Sequence, residues 1–549
     1  MSPLWGEGQV SVLDHTNHKR EGKGILGGVS ILTISALLVK VIGLLYRIPM
    51  LNLLGTEGMG YFNTAYELYA LFCVIATSGL PVAMSVLISS SAEHLDGKQT
   101  AGRIFRVSLF SFLIIGSAGS LLLYGFSDGL AHLLKNSGAA AGMRMISPTV
   151  LLICLSSAFR GYFQGKHAMT PTAVSQVIEA LGKLILGLLF AGWAKGRGCD
   201  LPVIAAYAVL GLTIGTGISV VYLWIHKTVS DRLTRTPMGL IKDRHADLEI
   251  LRRLLMTAVP VTFGAAILSI TKVVDLVLIL RRIQGEGTAA GTANMLYGCY
   301  STLVLPLFHI LPTLTTSVSL PTIPALSSAL GKTSSEGYSR AREIVLSALR
   351  MTLVIAIPAA IGLSVFSKDV LMLLFGAQPQ AVDLAAPWLS CVALSVPMSC
   401  LITVSSGLLQ AAGHAAKPVL SLILGTLVKV ISAYILLGLP EIGMMGAPIS
   451  TLACDSVIAL LNFIFIARLV PEILPSAKDF LVIFVFPTMA GGGSVAFIWW
   501  LRQRLGWDNI TSVHTLGAIA AVMCVYGAIC LLFLWYAKRD SKIENKDKI

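Results

Sequence analysis

Six basic residues lie inside segments that are otherwise apolar enough to cross a lipid bilayer. They are Lys40, Arg47, Lys183, Lys272, Arg350 and Lys429. A cation at the bilayer centre costs about 2.5–3.5 kcal/mol, so six cations facing lipid would cost on the order of 15–20 kcal/mol. These side chains must therefore face polar groups. Such a set is most simply explained by a water-filled cavity that receives an anion.

Lys40 and Arg47 are seven residues apart in the first of these segments. This spacing is about two helical turns, so both side chains project from one face. A pair of cations on one face suits an anionic diphosphate. In the alternative, Arg47 reaches the outer interface beside Pro49 and only Lys40 lies deep. Arg350 lies near the cytoplasmic end of its segment and could reach that interface in the same way.

Two other cations have a carboxylate one helical turn away, which offers a structural alternative to anion binding. Glu179 and Lys183 are at i, i+4 in the favourable order, and Lys272 and Asp275 are at i, i+3. Either pair could neutralise itself. The segment that contains Lys272 also carries Arg281 and Arg282 near its outside end. These two arginines complete the set of candidate anion-binding residues.

Two carboxylates inside apolar segments have no cation nearby in the sequence. Glu67 and Asp455 must each either pair with another helix or carry a proton. We therefore consider both, together with Asp275, as candidates for coupling to H⁺ or another cation, with a structural bond between helices as the alternative. For His309 we expect a packed, hydrogen-bonded side chain rather than a proton relay.

The composition is that of a polytopic membrane protein. Hydrophobic residues make up 55% of the 549 residues and charged residues only 13%. Apolar runs of membrane-spanning length recur along the whole chain, and they predict an all-α fold with about fourteen transmembrane helices. The predicted spans are 25–49, 61–90, 104–126, 144–166, 172–194, 203–225, 253–281, 292–322, 343–367, 385–410, 417–438, 444–468, 479–500 and 514–537.

The remaining cations predict the orientation in the membrane. With a cytoplasmic N-terminus, the cytoplasmic segments hold 26 of the 41 Lys and Arg residues and the outside loops hold 9. This bias places both termini in the cytoplasm. The net charge of +13 is then mostly a topology signal, and we expect no nucleic-acid partner. The polar residues 1–24 predict a cytoplasmic tail without a removable signal peptide.

An internal repeat divides the chain into two halves. Three residue pairs share an offset of 246, and Pro171 and Pro418 differ from it by one. The pairs are Gly161 and Gly407, Gln164 and Gln410, and Lys183 and Lys429. A lobe with an even number of spans returns the chain to the same side, so the repeats are predicted to be parallel. The predicted domains are a six-span lobe at 25–225, a basic cytoplasmic linker at 226–252, a six-span lobe at 253–468, two more spans at 469–537 and a cytoplasmic tail at 538–549.

Proline positions predict bent helices in corresponding spans of the two lobes. Span 2 has Pro81 after Ser78 and Gly79, and span 8 has Pro306 and Pro312. Irregular backbone at membrane depth is tolerated where it lines a cavity or is covered by protein. We expect these prolines to be hinges of two lobes around a central cavity, with simple kinking of packed helices as the alternative.

Enzyme motifs are missing from the sequence. The segment Gly331-Lys332-Thr333 lacks the upstream glycine of a P-loop, because Leu326 occupies that position. The metalloprotease motif H-E-x-x-H and the nucleophile elbow are also missing, and the outside loops are too short for a polymerising site. We therefore predict a transporter without a cofactor rather than an enzyme.

A motif beginning R-G-Y-F-Q-G-K carries a family resemblance. Its marked positions are Arg160, Gln164, Pro171, Gln176 and Glu179. With K-V-I-G-L-L-Y-R at 40–47 and S-G-L-P-V-A-M-S at 78–85, the chain resembles the polysaccharide-transporter branch of the multidrug/oligosaccharidyl-lipid/polysaccharide (MOP) flippase superfamily. Within that branch it is similar to the group of stage V sporulation protein B and the Gram-positive lipid II flippases.

The resemblance implies two six-helix lobes around a cationic cavity, with spans 13 and 14 shaping a groove for a lipid tail. It implies transport of an undecaprenyl-diphosphate-linked oligosaccharide, foremost the peptidoglycan precursor lipid II, to the outer leaflet of the bacterial cytoplasmic membrane. The partners are then this substrate and membrane lipids, and we expect a monomer. Na⁺, H⁺ and the membrane potential are all open as driving forces. The alternatives are a cation-coupled drug or metabolite exporter of the same superfamily and a membrane-embedded glycan polymerase or ligase.

Overall fold

The long apolar runs of the sequence form helices, because a helix satisfies its backbone polar groups internally. The computed structural model describes residues 11–91, 97–233, 244–331, 335–469, 479, 481–504, 517, 521–522 and 524–527. Within these residues the regular structure is helical and no strand occurs. Predicted span 14, the C-terminal tail and residues 1–10 of the N-terminal tail lie wholly or mostly outside the described residues.

The chain forms two compact units, Met1–Val273 and Val274–Ile549. The boundary lies inside one long helix, α8, and the first part of this helix belongs to unit 1, where Asp247 pairs with Arg103 at 2.6 Å. The helices of unit 1 are α1 (Ser11–Thr77), α2 (Leu80–Ser91), α3 (Gly97–Gly125), α4 (Ser127–Leu133), α5 (Ala139–Gly165), α6 (Met169–Gly196), α7 (Leu201–Leu233) and the first part of α8 (Arg244–Gly285).

Unit 2 contains the end of α8 and the remaining described helices. Its α15 (Ala416–Leu436) packs on α16 (Gly446–Leu469). In addition, α10 (Leu305–Leu330) packs on α14 (Val396–Ala411) and α11 (Ser335–Val365), and α11 packs on α17 (Phe486–Arg504). In unit 1, α7 and α8 extend into the two ends of the predicted linker at 226–252, and residues 234–243 between them are not described. The helices are α9 (Ala290–Cys299), α10 (Leu305–Leu330), α11 (Ser335–Val365), α12 (Ser367–Phe375), α13 (Pro379–Ala393), α14 (Val396–Ala411), α15 (Ala416–Leu436), α16 (Gly446–Leu469) and α17 (Phe486–Arg504).

The described helices account for predicted spans 1 to 13. Eleven helical segments are long and apolar enough to cross a membrane, and α13 with α14, bent by 47°, makes a twelfth. One of the eleven, Ile34–Ser91, has 58 residues. At 1.5 Å per residue it is roughly 87 Å long, enough for two crossings of a core about 30 Å thick. It contains spans 1 and 2, which meet at Gly55, where a φ of 66° interrupts the helix. The prediction of an all-α polytopic membrane fold is confirmed.

The turns after α5 and α14 have the same construction, which supports the internal repeat. His167 in the first turn has a φ of 57° and Gly413 in the second has a φ of 80°. Ala168 N–H donates to the carbonyl oxygen of Phe163 at 2.9 Å. One repeat later, at the same offset of 246, His414 N–H donates to the carbonyl oxygen of Leu409 at 2.9 Å. A left-handed residue with this bond closes the helix end. Both halves therefore leave this helix in the same way.

Span 2 breaks between α1 and α2 at Ser78 and Gly79, as the proline pattern predicts. A Cβ added to Gly79 would overlap the carbonyl group of Ala258 on α8, so the break is covered by protein. Beyond the break, Pro81 packs on α5, where a Cβ added to Gly161 would lie 3.0 Å from the Pro81 carbonyl oxygen. A side chain in place of Gly161 would thus require Pro81 to shift by a few tenths of an ångström.

Span 8 is irregular at the corresponding place in unit 2. A π-helical turn, Tyr300–Val304, joins α9 to α10, whose second residue is Pro306. Proline lacks an N–H group and its ring clashes with the preceding turn, which explains the wider turn there. Pro312 lies further along α10. The function of Pro81, Pro306 and Pro312 as hinges stays a prediction.

Four glycines bring α6 and α7 into backbone contact. A Cβ added to Gly211 would overlap the backbone of Gly187, and one added to Gly182 would overlap that of Gly215. Small residues allow such close approach between membrane helices, where van der Waals packing is a main source of association. Lys183 follows Gly182 directly, so this packing fixes the position of the lysine on unit 1.

We predict that Gly211→Ala destabilises the protein by about 1–3 kcal/mol, because the added methyl group forces α6 and α7 apart. Gly192→Ala is the matched control, since a Cβ on this α6 residue would meet nothing within 4 Å. There alanine should be neutral or stabilise the helix by up to about 1 kcal/mol. Thermal unfolding in detergent measures both. Equal stability of the two variants would contradict the packing described for these helices.

Candidate anion-binding site

The ammonium group of Lys183 lies among three aromatic rings. Its Nζ is 4.3 Å from the ring centroid of Tyr66, 5.1 Å from that of Tyr46 and 5.8 Å from that of Phe62. Aromatic faces attract cations, with contacts worth about 0.5–2 kcal/mol. The rings come from both sides of the kink at Gly55. We call Tyr46, Phe62 and Tyr66 the aromatic cage.

Glu179 pairs with Arg160 instead of Lys183. The distance from Arg160 Nη2 to Glu179 Oε2 is 2.8 Å, and the two side chains are only 12% and 18% exposed. Within the described part of the chain, no carboxylate oxygen lies within the 4.0 Å salt-bridge distance of Lys183 Nζ. The local i, i+4 pair that the sequence offered as an alternative is therefore not formed. Within the described residues, Lys183 is therefore not neutralised by an ion pair.

Arg160 joins three helices of unit 1. Besides Glu179 on α6, its guanidinium donates to Ser175 Oγ at 2.9 Å and to Ser219 Oγ at 3.5 Å. Ser219 on α7 in turn donates to the carbonyl oxygen of Ser175 at 3.0 Å. Both serines are fully buried. The arginine and the glutamate of the family motif thus hold α5, α6 and α7 together.

The other motif residues lie on either side of the turn after α5. The carbonyl oxygen of Gln164 accepts the N–H of His167 at 2.9 Å, and Pro171 is buried in the first turn of α6. Gln176 faces α1, where Ser35 Oγ lies 3.5 Å from its Oε1. These residues shape the connection between α5 and α6 and orient α6 against α1.

The other basic residues of unit 1 lie near one another. Arg47 follows the cage residue Tyr46, and its charge acts on Lys183 together with the charges of Glu179 and Glu67. Lys40 is exposed and lies close enough to the exposed Lys272 for their charges to repel. The structure therefore brings four predicted cations together in two neighbourhoods of one unit. These are Arg47 with Lys183, and Lys40 with Lys272.

In unit 2 the repeat-related lysine is neutralised. Lys429 Nζ on α15 lies 2.5 Å from Asp275 Oδ2 on α8, with side chains 11% and 24% exposed. Asp455 on α16 lies near both, and its Oδ2 is buried without a hydrogen-bond partner among the described residues. Asp275 thus pairs with a distant lysine rather than with Lys272. Asp455 is the carboxylate of unit 2 that retains a buried oxygen for a further partner.

Two more of the predicted cations contact protein groups in unit 2. Arg282 donates from Nε to the carbonyl oxygen of Tyr434 at 3.1 Å and stacks 4.3 Å from its ring centroid, at the end of α15. Arg350 lies 3.6 Å from Asp479, to which Arg342 also donates at 3.1 Å. These contacts suit packing roles. The remaining member of the predicted set, Arg281, is exposed. His309 is exposed as well, so the expectation of a packed side chain at this residue is wrong.

Sequence reasoning missed the aromatic cage and the partner of Glu179. Phe62 and Tyr66 are at i, i+4, which indicates one aromatic helix face, and Tyr46 adjoins Arg47. Neither signal indicated that this face meets Lys183 more than a hundred residues later. Arg160 and Glu179 are 19 residues apart on different helices. Their pairing depends on how α5 and α6 pack.

We predict that Asp275→Asn destabilises the protein by about 3–5 kcal/mol, because it leaves the Lys429 ammonium buried without its counter-ion. The matched control is Asp383→Asn. Asp383 pairs with Lys368 at 2.7 Å, but both side chains are more than half exposed. Loss of this exposed ion pair should lower the free energy of unfolding by about 1 kcal/mol or less. Urea or thermal unfolding measures both, and similar losses at the two sites would show that Lys429 is well solvated without Asp275.

Comparison with known proteins finds two matching families and several relatives. The family described as Polysaccharide biosynthesis protein matches residues 25–330, and the MatE family matches residues 301–435. The chain is 24% identical over 515 residues to stage V sporulation protein B of Bacillus subtilis (strain 168), covering 92% of this chain and 95% of that protein. It is 26% identical over 463 residues to lipid II flippase MurJ of the same organism, covering 81% and 82%.

Solved structures share the fold. Lipid II flippase MurJ in an inward closed conformation superposes with a TM-score of 0.68 at 16% identity, covering 91% of this chain and 98% of that one. An inward-facing MATE multidrug resistance transporter of the MOP superfamily gives 0.58 at 17% identity, covering 79% and 99%. These neighbours are transporters and flippases rather than enzymes. The first family match covers more than half of the 549 residues, and the chain therefore belongs to the polysaccharide biosynthesis protein family.

Proposed function

We propose that the protein is a flippase for an undecaprenyl-diphosphate-linked oligosaccharide, and that this substrate is the peptidoglycan precursor lipid II. It would work in the bacterial cytoplasmic membrane, with both termini in the cytoplasm, and move the headgroup to the outer leaflet by alternating access. The observation that carries the proposal is Lys183, a membrane-depth ammonium that no carboxylate in the described residues pairs with. The names and coverage of the relatives support the choice of lipid II.

The cations of unit 1 suit a diphosphate. Lys40, Arg47, Lys183 and Lys272 lie in two neighbourhoods of the same unit. A hydrogen bond between a charged donor and a phosphate oxygen contributes about 1.5–3 kcal/mol, roughly twice a neutral bond. Three of the four are lysines, which present a point charge rather than the fork of arginine. Such a set would bind the diphosphate by charge and leave its exact orientation less strictly fixed.

The membrane potential supplies a driving force for this direction of transport. Each negative charge moved out of a negative cytoplasm gains about 2.3 kcal/mol per 100 mV. Coupling to Na⁺ or H⁺ would add to it, through Glu67 or Asp455. Asp275 is a weaker candidate for that role, because Lys429 already supplies its counter-charge.

A cation-coupled drug or metabolite exporter of the same superfamily is the second candidate. The MatE match over residues 301–435 and the buried Asp455 oxygen in unit 2 favour it. Such an exporter would bind its organic cations through acidic residues. In unit 1, however, the groups at membrane depth that lie together are mainly basic, which favours an anionic substrate.

A complementation experiment tests the proposed function. The gene is expressed in a strain depleted of its lipid II flippases, and lipid II exposed in the outer leaflet is measured directly. We expect growth and outer-leaflet lipid II to be restored. Failure to restore either, with the protein present in the membrane, would remove lipid II as the substrate.

We further predict that Lys40→Ala and Arg47→Ala abolish this activity at near-normal membrane levels, because each removes a cation that binds the moving anion. Lys368→Ala serves as the matched control, since this lysine is 54% exposed and pairs only at the surface of unit 2. It should transport like the unmodified protein. Undiminished outer-leaflet lipid II in both span 1 variants would exclude this span from the substrate site.

A further inference from the structure

We propose that Arg160 keeps Lys183 available to an anion by holding Glu179 away from it. Arg160 is then a positioning residue for substrate binding, with no contact to the substrate required. The inference rests on the proposed function, because it takes a diphosphate as the anion that Lys183 binds. Three features of unit 1 and one comparison with unit 2 support it.

The first feature is the spacing of Glu179 and Lys183 on α6. They are at i, i+4 with the glutamate on the N-terminal side, the favourable order for an ion pair within one helix. Both side chains are partly buried, where the attraction between opposite charges is stronger than in water. Without a competitor, Glu179 would therefore neutralise Lys183. An incoming anion would then have to displace a carboxylate that is always present.

The second feature is the strength of the competitor. Arg160 binds Glu179 at 2.8 Å, and its guanidinium is fixed by Ser175 at 2.9 Å and by Ser219 at 3.5 Å. A planar guanidinium makes several directed hydrogen bonds at once, which a lysine ammonium in the same place would not reproduce. Glu179 is therefore held toward α5 and α7.

The third feature is the aromatic cage. Its rings lie 4.3–5.8 Å from Lys183 Nζ and stabilise a cation without carrying a negative charge. Tyr46 and Phe62 are buried, so the cage is fixed in place. The cage thus contacts the Lys183 ammonium through ring faces, which carry no negative charge that an anion would have to displace.

The second repeat provides the comparison. The positions one repeat after Arg160 and Glu179 are Ser406 and Gly425, so unit 2 lacks both members of this pair. There the equivalent lysine, Lys429, is bound by Asp275 at 2.5 Å. Lys183, which has the Arg160–Glu179 pair beside it, has no counter-ion in the described part of the chain, whereas Lys429 has one.

The experiment uses two variants that break the same salt bridge. Arg160→Gln releases Glu179, whereas Glu179→Gln removes the carboxylate. The probe is undecaprenyl diphosphate without sugar, titrated against the purified full chain in lipid nanodiscs. We expect Arg160→Gln to weaken binding by about tenfold or more, because Lys183 becomes paired, and Glu179→Gln to change it by less than about threefold. The double variant should bind like Glu179→Gln.

Equal weakening in both single variants would overturn the proposal, because it would mean that the bridge matters only for packing. Unchanged binding in Arg160→Gln would also overturn it. Thermal unfolding shows whether each variant folds. If Arg160→Gln does not fold, the double variant Arg160→Gln, Glu179→Gln decides, since it lacks both the guanidinium and the carboxylate. Affinity within about threefold of Glu179→Gln supports the proposal, and a loss of about tenfold in a folded protein contradicts it.

A different result of the same experiment would contradict the proposed function. Unmodified protein that does not bind the probe, or Lys183→Ala that binds it equally well, would remove the diphosphate from Lys183 and overturn both proposals. The other case is that the unmodified protein binds the probe, Lys183→Ala does not, and Arg160→Gln and Glu179→Gln bind it with the same affinity. This result would overturn only the function assigned to Arg160.

Discussion

A charged side chain taken out of water needs a compensating neighbour, and the choice of neighbour differs from one membrane cation to the next in this protein. Lys429 uses Asp275 as its counter-ion, and Arg160 uses Glu179. Lys183 is compensated by aromatic rings instead. A carboxylate cancels a lysine charge, whereas a ring stabilises the charge without cancelling it. The kind of partner therefore determines which cations remain able to attract a ligand.

The same distinction connects the packing of unit 1 with its proposed function. Close contact between α6 and α7 depends on glycines, and it fixes the face of α6 that carries Glu179 and Lys183. The kink at Gly55 lets spans 1 and 2 present rings to that face. Arg160 then binds the glutamate. Backbone geometry, glycine placement and charge pairing thus act together to leave the Lys183 ammonium without a counter-ion among the described residues.

The sequence predicted the features that depend on local composition. Long apolar runs predicted the helices, the order Ser78, Gly79, Pro81 predicted the break in span 2, and the common offset of 246 predicted a repeat that the turns at His167 and Gly413 support. It also identified Lys183 and Lys429 as related residues. Their partners were not predictable, because an ion pair such as Lys429 with Asp275 joins residues 154 positions apart. Such contacts follow from packing between helices rather than from spacing along one helix.

The central claim is that a negative charge on the lipid-linked substrate is what the protein recognises. The most direct test is translocation by the purified full chain in liposomes, with lipid II compared with a polyprenol-linked sugar that has no phosphate. We expect lipid II to cross rapidly and the neutral lipid to cross no faster than in protein-free liposomes. Equal rates for the two lipids would contradict a binding site based on cations.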